Sequence, residues 1–66
     1  MPRQSDLTRL HTLVVVNERH QTEDSQKERD DWFKYCCVQH GEEESRRIFQ
    51  AGKAYYTRHF ATAGTP

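Results

Sequence analysis

The sequence predicts an all-α protein in which helices 2 and 3 form a small helical hairpin, joined by an additional N-terminal helix in a dimeric bundle. Three observations predict this class. Apolar residues recur at helical spacing, capping residues precede them, and Gly41 lies where helix 2 would end. Because the chain has 66 residues, residues 1–66 are expected to form one domain.

Helix 1 is predicted over about residues 6–19. Ser5 is a favourable N-cap, and Asp6 complements the positive end of the helix dipole. Apolar residues then follow at helical spacing, at Leu7, Leu10 and Val14. Three consecutive valines lower the helix propensity of this segment. A short strand at residues 12–17 is therefore the alternative.

Helix 2 is predicted over about residues 26–40. Ser25 and Glu28 match the capping box, in which each side chain satisfies a backbone N–H at the start of the helix. The second half of the helix carries three aromatic residues, Trp32, Phe33 and Tyr35. Rings at these positions spread around a helix, so at least one is expected to face outward.

Helix 3 is predicted over about residues 42–61, followed by a flexible tail at residues 62–66. Three glutamates at 42–44 complement its dipole. Its apolar face contains Ile48, Phe49, Ala51, Gly52, Tyr55, Tyr56, His59 and Phe60. The short junction at Gly41 favours an antiparallel hairpin with helix 2.

The apolar surface exceeds what three helices are expected to bury, which is why the bundle is predicted to be a homodimer. The face of helix 3 is wider than the stripe that one partner helix covers. Gly52 lets a second backbone approach closely, and helix 1 has surplus apolar residues at Leu13, Val15 and Val16. The alternative is a monomeric three-helix bundle.

Composition limits the location and the partners. Ten basic and ten acidic residues balance, so electrostatic attraction to nucleic acid or to an anionic membrane is not expected for the whole chain. No apolar run approaches the ~20 residues of a membrane span. The two cysteines, Cys36 and Cys37, are adjacent, and a bond between neighbours would close almost no loop. This usage predicts a reducing, cytoplasmic environment.

No pattern in the chain predicts catalysis, a cofactor or a metal site. Nucleophile elbows, glycine-rich phosphate loops and paired-carboxylate motifs are missing from the sequence. Cys36, Cys37, His40 and His59 are the ligand types that zinc uses. Their spacing lacks a second ligand pair, and small buried cysteines packed against helix 3 are the favoured interpretation.

The preferred function is a non-catalytic protein–protein interaction or regulatory module, of the kind that phages and mobile elements encode as small accessory proteins. Its expected anchors are Trp32, Phe33, Tyr35, Tyr55 and Tyr56, because aromatic residues dominate binding surfaces. The partner protein is not identified by any motif.

The alternative is a nucleic-acid-binding regulator that uses the basic face of helix 3. The residues of that face are Arg46, Arg47, Lys53 and Arg58. The glutamates at 42–44 disfavour this alternative, because a recognition helix places its N-terminal residues against phosphates and bases.

Overall fold

Three α-helices follow one another in residues 5–61, the part of the chain that the computed structural model describes. They are α1 (Asp6–His20), α2 (Glu23–His40) and α3 (Glu42–Tyr56), and a π-helical turn, Thr57–Ala61, continues α3. Residues 12–17 are helical, so the strand alternative is wrong. The tail predicted at residues 62–66 lies outside the described residues.

The ends of α1 carry the signals that begin and end a helix. Ser5 accepts a hydrogen bond from the backbone N–H of Thr8 at 3.0 Å, as expected of an N-cap. At the other end, Gln21 adopts the left-handed conformation with φ 51°, and its N–H donates to the carbonyl of Asn17 at 2.7 Å. After this capped end, a two-residue connection, Gln21-Thr22, leads into α2.

The start of α2 differs from the prediction. The helix begins at Glu23, and its N-cap is Thr22, whose hydroxyl accepts from the Ser25 N–H at 3.1 Å. The Ser25 hydroxyl in turn accepts from the Thr22 N–H at 3.2 Å. The predicted Ser25–Glu28 capping box is therefore wrong, because the Ser25 hydroxyl takes the role that a carboxylate usually fills.

The helices pack side by side in an up-down-up order. Short connections at Gln21-Thr22 and at Gly41 make each helix antiparallel to the next. Gly41 has φ 94°, a conformation that glycine adopts without strain. Fully buried apolar side chains among the described residues are Leu10, Val14 and Cys36, and around them pack Leu7, Trp32, Phe33, Ile48 and Phe49.

Gly52 marks the closest approach of α1 and α3. A Cβ atom added to Gly52 would lie 2.9 Å from the Cβ of Val14 and 3.2 Å from the carbonyl oxygen of His11. The close backbone approach expected at this glycine is therefore present, and its partner is α1 of the same chain. The dimeric arrangement stays a prediction.

Within residues 5–61, none of the helices combines the length and the apolar content that crossing a membrane requires. The described residues form a small all-α protein of three packed helices.

Candidate protein-binding surface

The three predicted anchors on α2 do not form one surface. Trp32 faces α1, where its indole N–H donates to the Asp6 carbonyl at 2.9 Å. Phe33 faces α3, and its ring lies 5.2 Å from that of Phe49. Tyr35 is 42% exposed. Phe33 therefore belongs to the rim of the core, and only the other two rings contribute to an outer surface.

An apolar strip runs along the outer flank of α2. The ring of Tyr35 stacks on that of Trp32 at 4.6 Å, and Val38, three residues further on, is 81% exposed. The guanidinium of Arg9 lies 5.0 Å from the centre of the Trp32 ring. We name Trp32, Tyr35 and Val38 the α2 strip.

A second apolar surface lies where α1 meets the end of α3. Large apolar side chains exposed here are Val16 at 38%, Tyr55 at 42% and Phe60 at 41%. The Tyr55 ring lies 5.4 Å from that of His11 and 4.3 Å from that of His59. We name His11, Val15, Val16, Tyr55, His59 and Phe60 the α1–α3 patch.

The backbone explains why these side chains meet. Leu10 and Val14 point into the core, so Val15 and Val16, one and two positions later, emerge on the flank of α1. In the π-helical turn, backbone hydrogen bonds join residues five apart. Phe60 accordingly lies 6.2 Å from Tyr55, five positions earlier, while it stacks on Tyr56 at 5.4 Å.

A shallow depression of about 290 Å³ opens in this patch, between α1 and α3. Its lining is mainly apolar and comes from His11, Thr12, Val15, Val16 and Tyr55. The depression is open to solvent, and its volume is at the lower limit of the roughly 300–1,000 Å³ of pockets that enclose small-molecule ligands. It therefore suits individual anchoring side chains of a larger partner.

Cationic side chains border the patch. The guanidinium of Arg19 lies 5.7 Å from the centre of the Phe60 ring, and Arg58 belongs to the same π-helical turn as Phe60. Lys53 lies 4.0 Å from the carboxylate of Glu18. Lys53 also lies 5.3 Å from the centre of the Phe49 ring, and position 53 is about 200° from position 55 on a helix, so Lys53 is on the other side of α3 from Tyr55.

The α2 strip and the α1–α3 patch lie on opposite flanks of α1. Arg9 lines a depression together with Trp32, whereas His11 lines the depression beside Tyr55. Positions 9 and 11 are about 200° apart on a helix. The predicted anchors are thus divided between two surfaces, with Tyr55 and Tyr56 on a different side of the molecule from Tyr35.

Two of the four basic residues of the nucleic-acid alternative have carboxylate partners along α3. Arg46 pairs with Glu42, and Arg47 donates to Glu44 at 2.6 Å. Hydrogen bonding to Glu44 raises the pKa of the Arg47 guanidinium. These pairs balance the charge on the first half of α3, which does not favour phosphate binding there.

The candidate metal ligands do not gather in one place. His40 lies 2.9 Å from the carboxylate of Asp6 at one end of the bundle, whereas His59 packs on Tyr55 at the other. The Cys36 thiol is buried and contacts the Asp6 carbonyl at 3.6 Å. Burial, with Asp6 and Cys37 nearby, raises the pKa of this thiol. Within residues 5–61, no three metal-binding side chains are close enough to hold an ion.

A polar network between α1 and α2 was not expected from the sequence. Asn17 is buried; it accepts from the Arg29 guanidinium at 2.6 Å and donates to the Ser25 hydroxyl at 3.0 Å. Arg29 also pairs with Asp30 at 2.9 Å. The sequence signal for this network was the position of Asn17, which lies on the same face of the helix as Leu10 and Val14 and so faces the interface between α1 and α2.

Comparison of the chain with protein-family models found no match, and comparisons with curated proteins and with solved structures found none either. The class that the fold and the surfaces define is a small three-helix protein with two exposed apolar regions.

Proposed function

We propose that the chain is a non-catalytic interaction module that binds another protein through the α1–α3 patch. The observation that supports this most strongly is the grouping of Val16, Tyr55 and Phe60, each about 40% exposed, at one end of the bundle. Single exposed apolar residues are normal on a protein surface. A contiguous apolar group bordered by charged residues is typical of an interaction site.

The aromatic residues make this patch a suitable anchor. Tyr55 and Phe60 present large, stiff apolar surfaces, and such residues supply most of the binding free energy in protein interfaces. Contacts with His59 and Tyr56 hold both rings in place before a partner arrives. A preorganised surface loses less conformational entropy on binding.

The homodimer is a second proposal, and the α2 strip favours it. Val38 is 81% exposed and Tyr35 is 42% exposed on the same flank of α2. Antiparallel pairing of two such helices would bury both side chains around a twofold axis.

The proposed function includes a cytoplasmic location, which the two unpaired cysteines favour.

Site-specific photo-crosslinking tests both proposals in the same cells. A benzoylphenylalanine side chain would replace Val16 in the patch, Val38 in the α2 strip, or Gln50 on the polar outer face of α3 as the control. After irradiation in the source organism, the adducts would be separated by mass and identified by mass spectrometry.

We expect a discrete adduct with another protein at position 16 and an adduct of twice the chain mass at position 38. The Gln50 position should give neither adduct. If crosslinking at position 16 matched that at position 50, the interaction function would be overturned. If the product at position 16 contained DNA or RNA, the nucleic-acid alternative would replace it.

A further inference from the structure

We propose that the α1–α3 patch is a pH-sensitive surface, which binds apolar partners near neutral pH and loses this ability when its two histidines, His11 and His59, are protonated. This inference rests on the proposed function and names the regulation of the same patch. It applies to any apolar partner, because the change in charge takes place in the patch itself.

Two imidazoles contact one aromatic ring in the patch. The ring of Tyr55 lies 5.4 Å from that of His11, which belongs to α1, and 4.3 Å from that of His59, which belongs to the π-helical turn. Histidine is the side chain whose charge ordinarily changes between about pH 5 and pH 8. A modest fall in pH can therefore add positive charge at two positions around Tyr55.

Both histidines lie where a bound protein would cover them. His11 lines the depression between α1 and α3 together with Tyr55, and His59 is exposed beside the same ring. Moving a charged group from water into an apolar contact costs much more free energy than moving the neutral group, unless an opposite charge accompanies it. An apolar partner should therefore bind the neutral imidazoles and be released by the charged ones.

The fold does not supply that opposite charge. Among the described residues, no hydrogen bond or ion pair joins a carboxylate to His11 or His59. The carboxylate of Glu18, on the neighbouring face of α1, lies 4.0 Å from Lys53, on the other side of α3 from Tyr55. Protonated imidazoles in the patch would thus depend on water for their stabilisation.

The charged side chains that contact or adjoin the patch are cations. The guanidinium of Arg19, from α1, lies 5.7 Å from the centre of the Phe60 ring. Arg58 directly precedes His59 in the π-helical turn, and residues 48–61 contain no Asp or Glu. α2 lies on the opposite flank of α1. Protonation therefore adds charge of the sign that is already present, which increases the cost of covering the patch.

The two imidazoles also act on each other. Because both contact the ring of Tyr55, their centres lie within about 10 Å of each other, a separation comparable with the screening length of about 8–10 Å at physiological salt. Two positive charges at this separation repel each other. The charged patch should therefore differ most from the neutral one when both histidines are protonated.

Hydrophobic interaction chromatography of the full chain tests the inference, because it measures exposed apolar surface and needs no partner. Retention on a phenyl matrix would be compared at about pH 8 and about pH 5.5 in one concentration of ammonium sulfate. The patch variant combines His11→Gln with His59→Gln. The control variant combines His20→Gln with His40→Gln and removes the same number of histidines outside the patch.

We expect retention of the wild-type chain to fall by about twofold or more from the higher to the lower pH. The control variant should show the same fall, whereas the patch variant should keep most of its retention. His11→Lys, which is charged at both pH values, should be weakly retained at both. Circular dichroism at each pH would verify that all the chains are folded.

An equal fall in the patch variant and the control variant would overturn the inference, because the change would then follow net charge and not the patch. Wild-type retention that is independent of pH would overturn it as well. The crosslink at position 16 is an independent measurement. A protein adduct there, combined with either of these results, would refute the pH sensitivity while the interaction function stood.

Discussion

Gly52 shows how a missing side chain sets the distance between two helices. Replacing it by Ala places a Cβ 2.9 Å from the branched Cβ of Val14, an atom that cannot move without its backbone. Overpacking costs more than the helix propensity that Ala gains, so we expect Gly52→Ala to lower the free energy of unfolding by about 1–2 kcal/mol. Urea denaturation measures the change.

The exposed neighbour Ala51 supplies the reference for this substitution. Ala51→Gly carries no steric effect and should cost about 1 kcal/mol through backbone entropy alone. If Gly52→Ala were stabilising by the same amount, the close contact with Val14 would be ruled out.

The two cysteines should differ in reactivity. Burial raises the pKa of Cys36, so at mildly alkaline pH iodoacetamide should modify Cys37 first, because only the thiolate reacts. Fragment-ion mass spectrometry of singly modified chains gives the site. In denaturant the preference should disappear, and its persistence there would show that burial is not the cause.

The same shift predicts the sign of a stability change with pH. The folded chain holds the Cys36 proton more tightly than the unfolded chain does. The contribution of Cys36 to stability is therefore complete below the ordinary thiol pKa of about 8.5 and falls as the pH rises above it. Cys36→Ala should flatten this alkaline decline, which thermal unfolding at a series of pH values would measure.

At the scale of the helices, the cap of α2 provides the sharpest test. Thr22→Ala removes the hydroxyl that accepts from the Ser25 N–H, and we expect a loss of about 1 kcal/mol in the free energy of unfolding. Glu28→Ala, which alters the capping box expected from sequence, should have little effect. A larger loss with Glu28→Ala would place the start of the helix at Ser25 instead.

The polar network predicts a second effect between α1 and α2. Asn17→Ala leaves the Arg29 guanidinium without its buried acceptor, and we expect this to cost about 1–3 kcal/mol. Arg29→Met should cost less in the Asn17→Ala background than in the wild-type chain. A double-mutant cycle in urea measures this coupling, and strict additivity would contradict the network.

The sequence predicted the existence and order of the helices better than their first residues. Local signals suffice for the Ser5 cap and for the stop at Gly41. They did not suffice at α2, because Thr22 and Ser25 are both acceptable caps and the choice depends on contacts with α1. Asn17 bonds the Ser25 hydroxyl at 3.0 Å, and sequence spacing cannot reveal such a long-range partner.

For the whole molecule, the outstanding question is the number of chains. If the α2 strip forms the predicted homodimer, Val38→Glu should dissociate it, because a charge at an 81% exposed position is tolerated only while that surface faces water. Sedimentation velocity over a range of concentrations measures the change. Gln39→Glu adds the same charge one position away and serves as the control. A wild-type chain that sediments as a monomer at every concentration would refute the dimer.

The all-α class could be predicted because helical spacing and capping are local properties of the chain. The division of the aromatic anchors into two surfaces could not, because it depends on which flank of α1 each neighbouring helix covers. Tyr55 contacts His11 only because Gly52 lets α1 pack closely against α3. The patch is therefore a product of tertiary packing.

The contact between Val14 and Gly52 lies less than one helical turn from Tyr55 and beneath the groove that α1 and α3 share. Any residue other than glycine at this point would force the two walls of the groove apart. A random-mutagenesis screen for lost partner binding should then recover changes at Gly52, which is shielded from water, alongside those at Tyr55. Several of the Gly52 variants should be temperature-sensitive, because they disturb the packing of α1 against α3 and leave the binding residues unchanged.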